Sequence, residues 1–171
     1  MKRATESGLD MIAVTDHNSA LNVAAVRRAA LGTGLCVIRG VEIQTREDVH
    51  LLCLFGKLRQ LEALHRLLSM SLPKACNLPR VFGDQHLMDV AGQVTGEARR
   101  FLLTAADLGA SVVLQATVEL GGIVIPAHVD KGSHGLLPVL GLLPGDLDVV
   151  ACEVSARGDT AARRHTAGEI L

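Results

Sequence analysis

Tryptophan and tyrosine are absent from the 171 residues, and only three phenylalanines occur. Sequence-tolerant binding of single strands relies on aromatic platforms on which bases stack, so a dedicated nucleic-acid-binding surface is not expected. An excess of either charge is missing too: 17 Lys and Arg stand against 18 Asp and Glu, for a formal net charge of -1. With no whole-chain field to draw a polyanion or an anionic membrane surface, an anionic substrate has to be held by a local device. No segment offers the run of about 18 apolar residues that a membrane span needs, and the opening MKRATESGLD lacks the apolar stretch of a signal peptide. A cytoplasmic protein with no membrane partner is expected. The four cysteines, Cys36, Cys53, Cys76 and Cys152, never form a CxxC pair, and they read as reduced thiols, not a disulfide framework. No GxGxxG or P-loop pattern occurs, and the glycine-rich points follow helices instead of preceding them.

The chain does hold a hydrophobic fraction of 49%, enough for a sizeable core in a single domain over residues 1–171. Short runs rich in Val, Ile and Leu alternate with longer mixed segments, which marks the α/β class with a largely parallel sheet or barrel. Strands are expected at Met11 to Thr15, Cys36 to Ile43, Val49 to Phe55, Gly122 to Pro126 and Asp148 to Val154. Helical spacing runs from Asn18 to Leu31, with Asn18 and Ser19 as candidate caps, and again from Lys57 to Met70 through Leu58, Leu61, Leu64, Leu67 and Leu68. Asp107 is positioned to cap a third helix reaching about Leu120. Between Ser71 and Glu97 the rhythm breaks, with Pro73, Pro79, Gly83, Gly92 and Gly96, and a long excursion over one face is expected there, in the kind of loop that sets substrate specificity. Met1 to Ser7 has the character of the last turns of a helix closed by Gly8, and the chain stops inside another helical segment, so it reads as the central portion of a longer domain.

Ionisable groups gather at the strand ends. Asp16 and His17 follow MIAVT, Glu42 lies near the end of CVIRGVEI, His50 opens HLLCLF, and His128 follows GGIVIPA. In a parallel sheet or barrel the C-terminal strand ends form one rim where side chains from separate strands converge. Imidazole with carboxylate is a donor set that suits zinc, manganese or iron. Each residue alone has a plainer reading: a histidine after a strand caps the next helix or bonds a carbonyl, and a lone Glu42 pairs with a neighbouring group. Burying several such groups together is costly unless a metal or a network neutralises them. His65 falls on a helix, His86 and His134 in loops, and His165 near the end; solvation or packing is expected of these. Lys131 and Arg157 are candidate phosphate contacts and equally ordinary surface cations.

Three blocks in this order, AVTDHNSA, RGVEIQTREDVHLLCLF and GGIVIPAHVDK, resemble the metal-binding segments of the PHP (polymerase and histidinol phosphatase) superfamily, and the resemblance extends over essentially the whole chain. It implies part of a distorted (β/α)7 barrel of the TIM-like kind whose first and last strands, with an HxH pair and an Asp-x-His pair, lie beyond the two ends. It further implies two or three divalent metal ions, zinc, manganese or iron, held by His17, Glu42, His50 and His128, with Glu42 bridging and Asp16 as a hydrogen-bonding neighbour. Glu42, His128 and Asp16 are the residues it marks for catalysis.

The activity implied is hydrolysis of a phosphomonoester or phosphodiester by a metal-activated water, on a small phosphorylated substrate such as a nucleotide. No side-chain nucleophile is called for, because no base is spaced to activate Cys53 or Cys152. The competing reading is a non-catalytic metal- or nucleotide-binding domain with a structural or regulatory role.

Overall fold

The computed structural model describes residues 2–141 and 149–155. Arg157, His165 and the closing segment expected as helical lie outside the described residues. The chain opens with helix α1 (Lys2–Glu6), stopped at Gly8, whose φ of 69° is a left-handed turn that a side chain would resist. Strand β1 (Met11–Val14) leads through the segment carrying Asp16 and His17 into α2 (Val23–Ala29), then β2 (Cys36–Gln44) and β3 (His50–Phe55). Helix α3 (Leu58–Ser71) follows within a residue of the span its leucine spacing predicts, and its buried Leu61, Leu64 and Leu68 form the expected stripe.

One sheet in the order β1-β2-β3-β6 is the frame, its last strand β6 (Ile123–Pro126) following helix α5 (Ala110–Glu119). Strand period two separates its faces. Val41, Ile43, Leu51, Cys53, Phe55 and Val124 are buried in a core shared with α3 and α5, while Glu42, Gln44 and His50 occupy the alternate positions.

The sheet is mixed, which corrects the largely parallel arrangement expected. β1 and β2 are parallel, but β3 runs antiparallel to both β2 and β6. Only the residues between Gln44 and His50 join β2 to β3, too short a link for the crossover that a parallel pair needs. The described strands form an open four-stranded sheet and a separate two-stranded one, not a closed barrel. The stretch from 149 to 154, expected as a strand, has no strand assignment; it lies beside β6 through Glu153, whose N–H donates to Pro126 O at 2.9 Å and whose carbonyl accepts from Val129 N at 2.8 Å.

Three further expectations are corrected. Helix α2 begins at Val23, and Asn18 caps nothing: fully buried with φ 51°, it donates through Nδ2 to Leu102 O and Thr104 O and accepts from Gln44 N. Those long-range bonds replace the local one that a cap makes. Asp107 does not cap α5; it accepts from Arg46 Nε at 2.8 Å, and Glu47 Oε2 accepts the Ala110 N–H instead. The excursion is not structureless. It contains the short helix α4 (Pro79–Phe82) and the hairpin of β4 (His86–Met88) and β5 (Val94–Glu97). Asn22 clips this hairpin down, donating to His86 O and accepting from Met88 N. A short helix α6 (Leu136–Leu140) follows the turn after β6. No helix among the described residues is long and apolar enough to cross a membrane.

Candidate metal centre

Register places the first two donors side by side. Beyond β1 the chain stays paired with β2, so that His17 stands directly opposite Glu42, and Asn18 N donates to Glu42 O at 2.7 Å. The reversal of β3 supplies the third. Because β3 runs against β2, its first residue lies at the end where β2 finishes, and His50 pairs with Gln44. A histidine at the start of one strand thereby joins a glutamate near the end of another. His128 comes from just past β6, at φ 33°, on a turn closed by Lys131 N donating to His128 O.

Glu42 is the hub. Its Oε1 lies 2.9 Å from His50 Nδ1 and 3.9 Å from His128 Nε2, and its Oε2 lies 3.8 Å from His17 Nδ1. The rings of His17 and His50 meet edge-on at 4.9 Å between centroids, and those of His50 and His128 at 5.2 Å. His17, Glu42 and His50 each offer one donor atom within 4.8 Å of the others. The imidazoles of His17 and His50, opposed by the cost of burial, hold the Glu42 carboxyl well below the usual carboxylate range. Burial, and then the neighbouring His50, lowers His128 from the ordinary imidazole value.

These residues fit a divalent cation. Among the described residues, both ring nitrogens of His50 and Nδ1 of His128 are buried without a partner in hydrogen-bond geometry, although Glu42 Oε1 lies 2.9 Å from His50 Nδ1. Two donors sharing an ion at about 2.1 Å from each are themselves separated by roughly 3.0–3.4 Å, close to that spacing. Imidazole nitrogens kept from water with nothing to bond are costly on their own and natural beside a cation.

Asp16 stands next to this group, outside the set of mutually close donors; its Oδ2 accepts from Asn22 Nδ2 at 3.1 Å. Asp16 and His17 line a cavity of about 320 Å³ together with Phe82, Asp84 and His86 of the excursion and Leu103 beyond it. Lys131 is exposed. His65 lies on α3 as expected.

Two histidines are placed differently from the expectation. His86 lies on β4, not in a loop, opposite Glu97, and with Asp84 the three form an exposed group. His134 is not merely solvated. Its ring stacks on that of His50 at 4.5 Å and 10°, its carbonyl accepts the His50 N–H, and its Nδ1 lies 3.0 Å from Asp48 Oδ1. Sequence reasoning missed it, as it missed Asp130, whose carboxylate accepts from both N and Oγ of Ser155 at 2.7 Å and so ties the segment after residue 149 to the His128 turn.

The family model of the PHP domain matches residues 1–120, and the chain belongs to the PHP domain family. The matched span includes His17, Glu42 and His50; His128 lies beyond it. Among solved structures, the chain is similar to the lesion-specific endonuclease PfuEndoQ of Pyrococcus furiosus at a TM-score of 0.64 and 17% identity, over 93% of this chain and 37% of that one. An Endonuclease Q in complex with a 27-mer duplex substrate bearing an abasic lesion at the active site gives a TM-score of 0.63 at 17% identity, with the same coverage of 93% and 37%. A Bifidobacterium adolescentis protein assigned as a metal-dependent phosphoesterase gives 0.60 at 17% identity, over 99% of this chain and 75% of that one. The chain therefore spans little more than a third of the endonuclease chains. These likenesses establish a shared mixed α/β fold. No curated protein sequence matches.

Proposed function

We propose that this chain carries the metal-binding part of a metal-dependent phosphoesterase, with His17, Glu42, His50 and His128 as donors to one or more divalent ions. The observation that carries the reading is the convergence of three histidines on one carboxylate, with buried ring nitrogens that no described residue satisfies. A bound divalent ion supplies Lewis acidity toward a phosphoryl oxygen and lowers the pKa of water. Zinc, manganese and iron all suit this donor set.

The chain's own residues do the rest. Glu42, ionised throughout the neutral range, offers two oxygens in different directions: Oε1 toward His50 and His128, Oε2 toward His17. That division suits a carboxylate shared by two cations. Asp16, held by Asn22, stands at the cavity wall where it can accept a hydrogen bond from the substrate or its water. The cavity takes the leaving group. Among the described residues no Lys or Arg lines it, while Asp16 and Asp84 do, and those residues favour a leaving group without a further phosphate. A polynucleotide needs a track of cations along its backbone, and the near-zero net charge supplies no general field for one. A small phosphorylated substrate is the better match, although the similar endonucleases act on DNA.

The test, made on the protein extended through the flanking segments expected to carry the remaining ligand pairs, is a panel of phosphomonoesters, mononucleotides, short diesters and abasic duplex DNA, each with manganese or zinc. Glu42→Gln should lower kcat/KM by at least about 100-fold while leaving the melting temperature of the metal-free protein within a few degrees, since the amide keeps the size and loses the charge. Turnover of the abasic duplex alone would replace the small substrate with DNA. A folded, metal-loaded protein inert on the whole panel would leave the non-catalytic domain as the correct account.

A further inference from the structure

Behind the donor cluster runs a chain of polar contacts that the metal reading does not use. His17 Nε2 lies 3.1 Å from Gln44 Oε1, Gln44 Nε2 donates to Asp48 Oδ1 at 2.5 Å, and His134 Nδ1 lies 3.0 Å from the same oxygen. His134 completes the circuit by stacking on His50. Asp48 and His134 both adopt left-handed backbone, at φ 68° and 61°. Such conformations are uncommon for residues other than glycine and persist where surrounding contacts hold them.

The polarity of this chain can run only one way. An ionised carboxylate accepts and does not donate, so the Gln44 amide must turn its NH2 toward Asp48 and its oxygen toward His17. Flipping the amide would set two oxygens against each other at one end and remove the acceptor from His17 at the other. With an oxygen facing it, His17 Nε2 must carry the ring hydrogen. The lone pair is then left on Nδ1, which faces Glu42 Oε2 at 3.8 Å, too far to donate the hydrogen bond that would favour the other tautomer. By the same logic His134 donates through Nδ1 to Asp48, and its ring is held flat over His50 at an interplanar angle of 10°.

We infer that Gln44, Asp48 and His134 are positioning residues: they fix His17 as its Nε2–H tautomer, so that a divalent ion is taken through Nδ1, and they fix the plane of the His50 ring. The part concerning the ion rests on the metal site proposed above; the tautomer does not. Partners of this kind that orient ligating histidines affect metal affinity by about 10–100-fold.

The tautomer is read on metal-free protein by long-range 1H–15N correlation of the His17 ring, above the pH range in which imidazole titrates. Wild type should show a protonated Nε2 and a bare Nδ1. Gln44→Leu should give a mixture of tautomers and bind manganese or zinc about 10–100-fold more weakly by calorimetry. The exchange Gln44→Glu with Asp48→Asn swaps carboxylate and amide and returns an acceptor to His17 Nε2, with His134 now accepting through Nδ1 from the new amide instead of donating, and should restore the single tautomer of His17. A packing role for Gln44 would not predict that rescue. A bare Nε2 in wild type, or an unchanged tautomer in Gln44→Leu, overturns the inference. Should Gln44→Leu not fold, the wild type and the exchanged pair still decide it. The expected tautomer in a protein that takes up neither metal would sink the metal site while leaving the hydrogen-bond chain standing.

Discussion

Cys53 lies in β3 with no exposed surface, and burial pushes its thiol up from 9.0 to about 12. The unfolded chain loses that proton near the ordinary value, whereas the folded chain keeps it, so between those limits the folded state binds the extra proton and stability falls as pH rises. One such group gives a slope of about 1.4 kcal/mol per pH unit. Subtracting the urea-derived stability of Cys53→Val from that of wild type across roughly pH 8–11 should isolate this slope, with no tyrosine in the chain to add its own titration. A flat difference would mean that the thiol is not sequestered. At the same scale, Asn18, Asp48 and His134 show why some single residues were illegible in the sequence. The partners that define them are remote: the amide of Asn18 is satisfied 84 and 86 residues away, and His134 bonds a carboxylate 86 residues earlier. His17, Glu42, His50 and His128 can be proposed together from the sequence because a strand end is a position that local pattern reveals.

Elements were readable where their own chemistry sufficed. Runs such as HLLCLF and GGIVIPA can be buried only as strands or short helices, and the leucine repeat of α3 has one helical face. The direction of β3 was not in its composition, since a buried strand has the same residues whichever way it runs; the one available signal was the short link from Gln44 to His50. The excursion was read as irregular because β4 and β5 are very short and owe their place to Asn22. The turn that presents His128 depends on an equally unobtrusive residue. A Cβ on Gly135 would collide with the carbonyl of Lys131 and lie 2.9 Å from that of His128, both backbone atoms that cannot swing aside. Gly135→Ala should therefore displace His128, weakening zinc or manganese binding about 10-fold or more in calorimetry. Unchanged affinity in a folded Gly135→Ala protein would remove His128 from the donor set.

For the whole molecule, the proposed donors, drawn from the β1–α2 connection, β2, β3 and the turn after β6, would make the centre a tie across the sheet. A cation bound there and absent from the unfolded chain stabilises by mass action, by about 2.7 kcal/mol at a free concentration 100 times its Kd. Thermal melts should rise with added zinc or manganese, fall back with chelator, and show little of this response in Glu42→Gln. A metal response of equal size in that variant would place the ion elsewhere.

The reversed strand also bears on the order in which the chain assembles. Glu42, Gln44, Asp48 and His50 all belong to one hairpin, and hairpins, whose ends are close in sequence, form within about 1–10 μs. Pairing of β3 with β6, and with it the arrival of His128, waits on a much longer loop. On the proposed metal site, half of the donor set is thus presented before the domain has closed, which would give a cation a partial seat during folding itself. Metal added to the refolding buffer should then speed refolding as well as slow unfolding, since an interaction already present in the transition state acts on the forward rate.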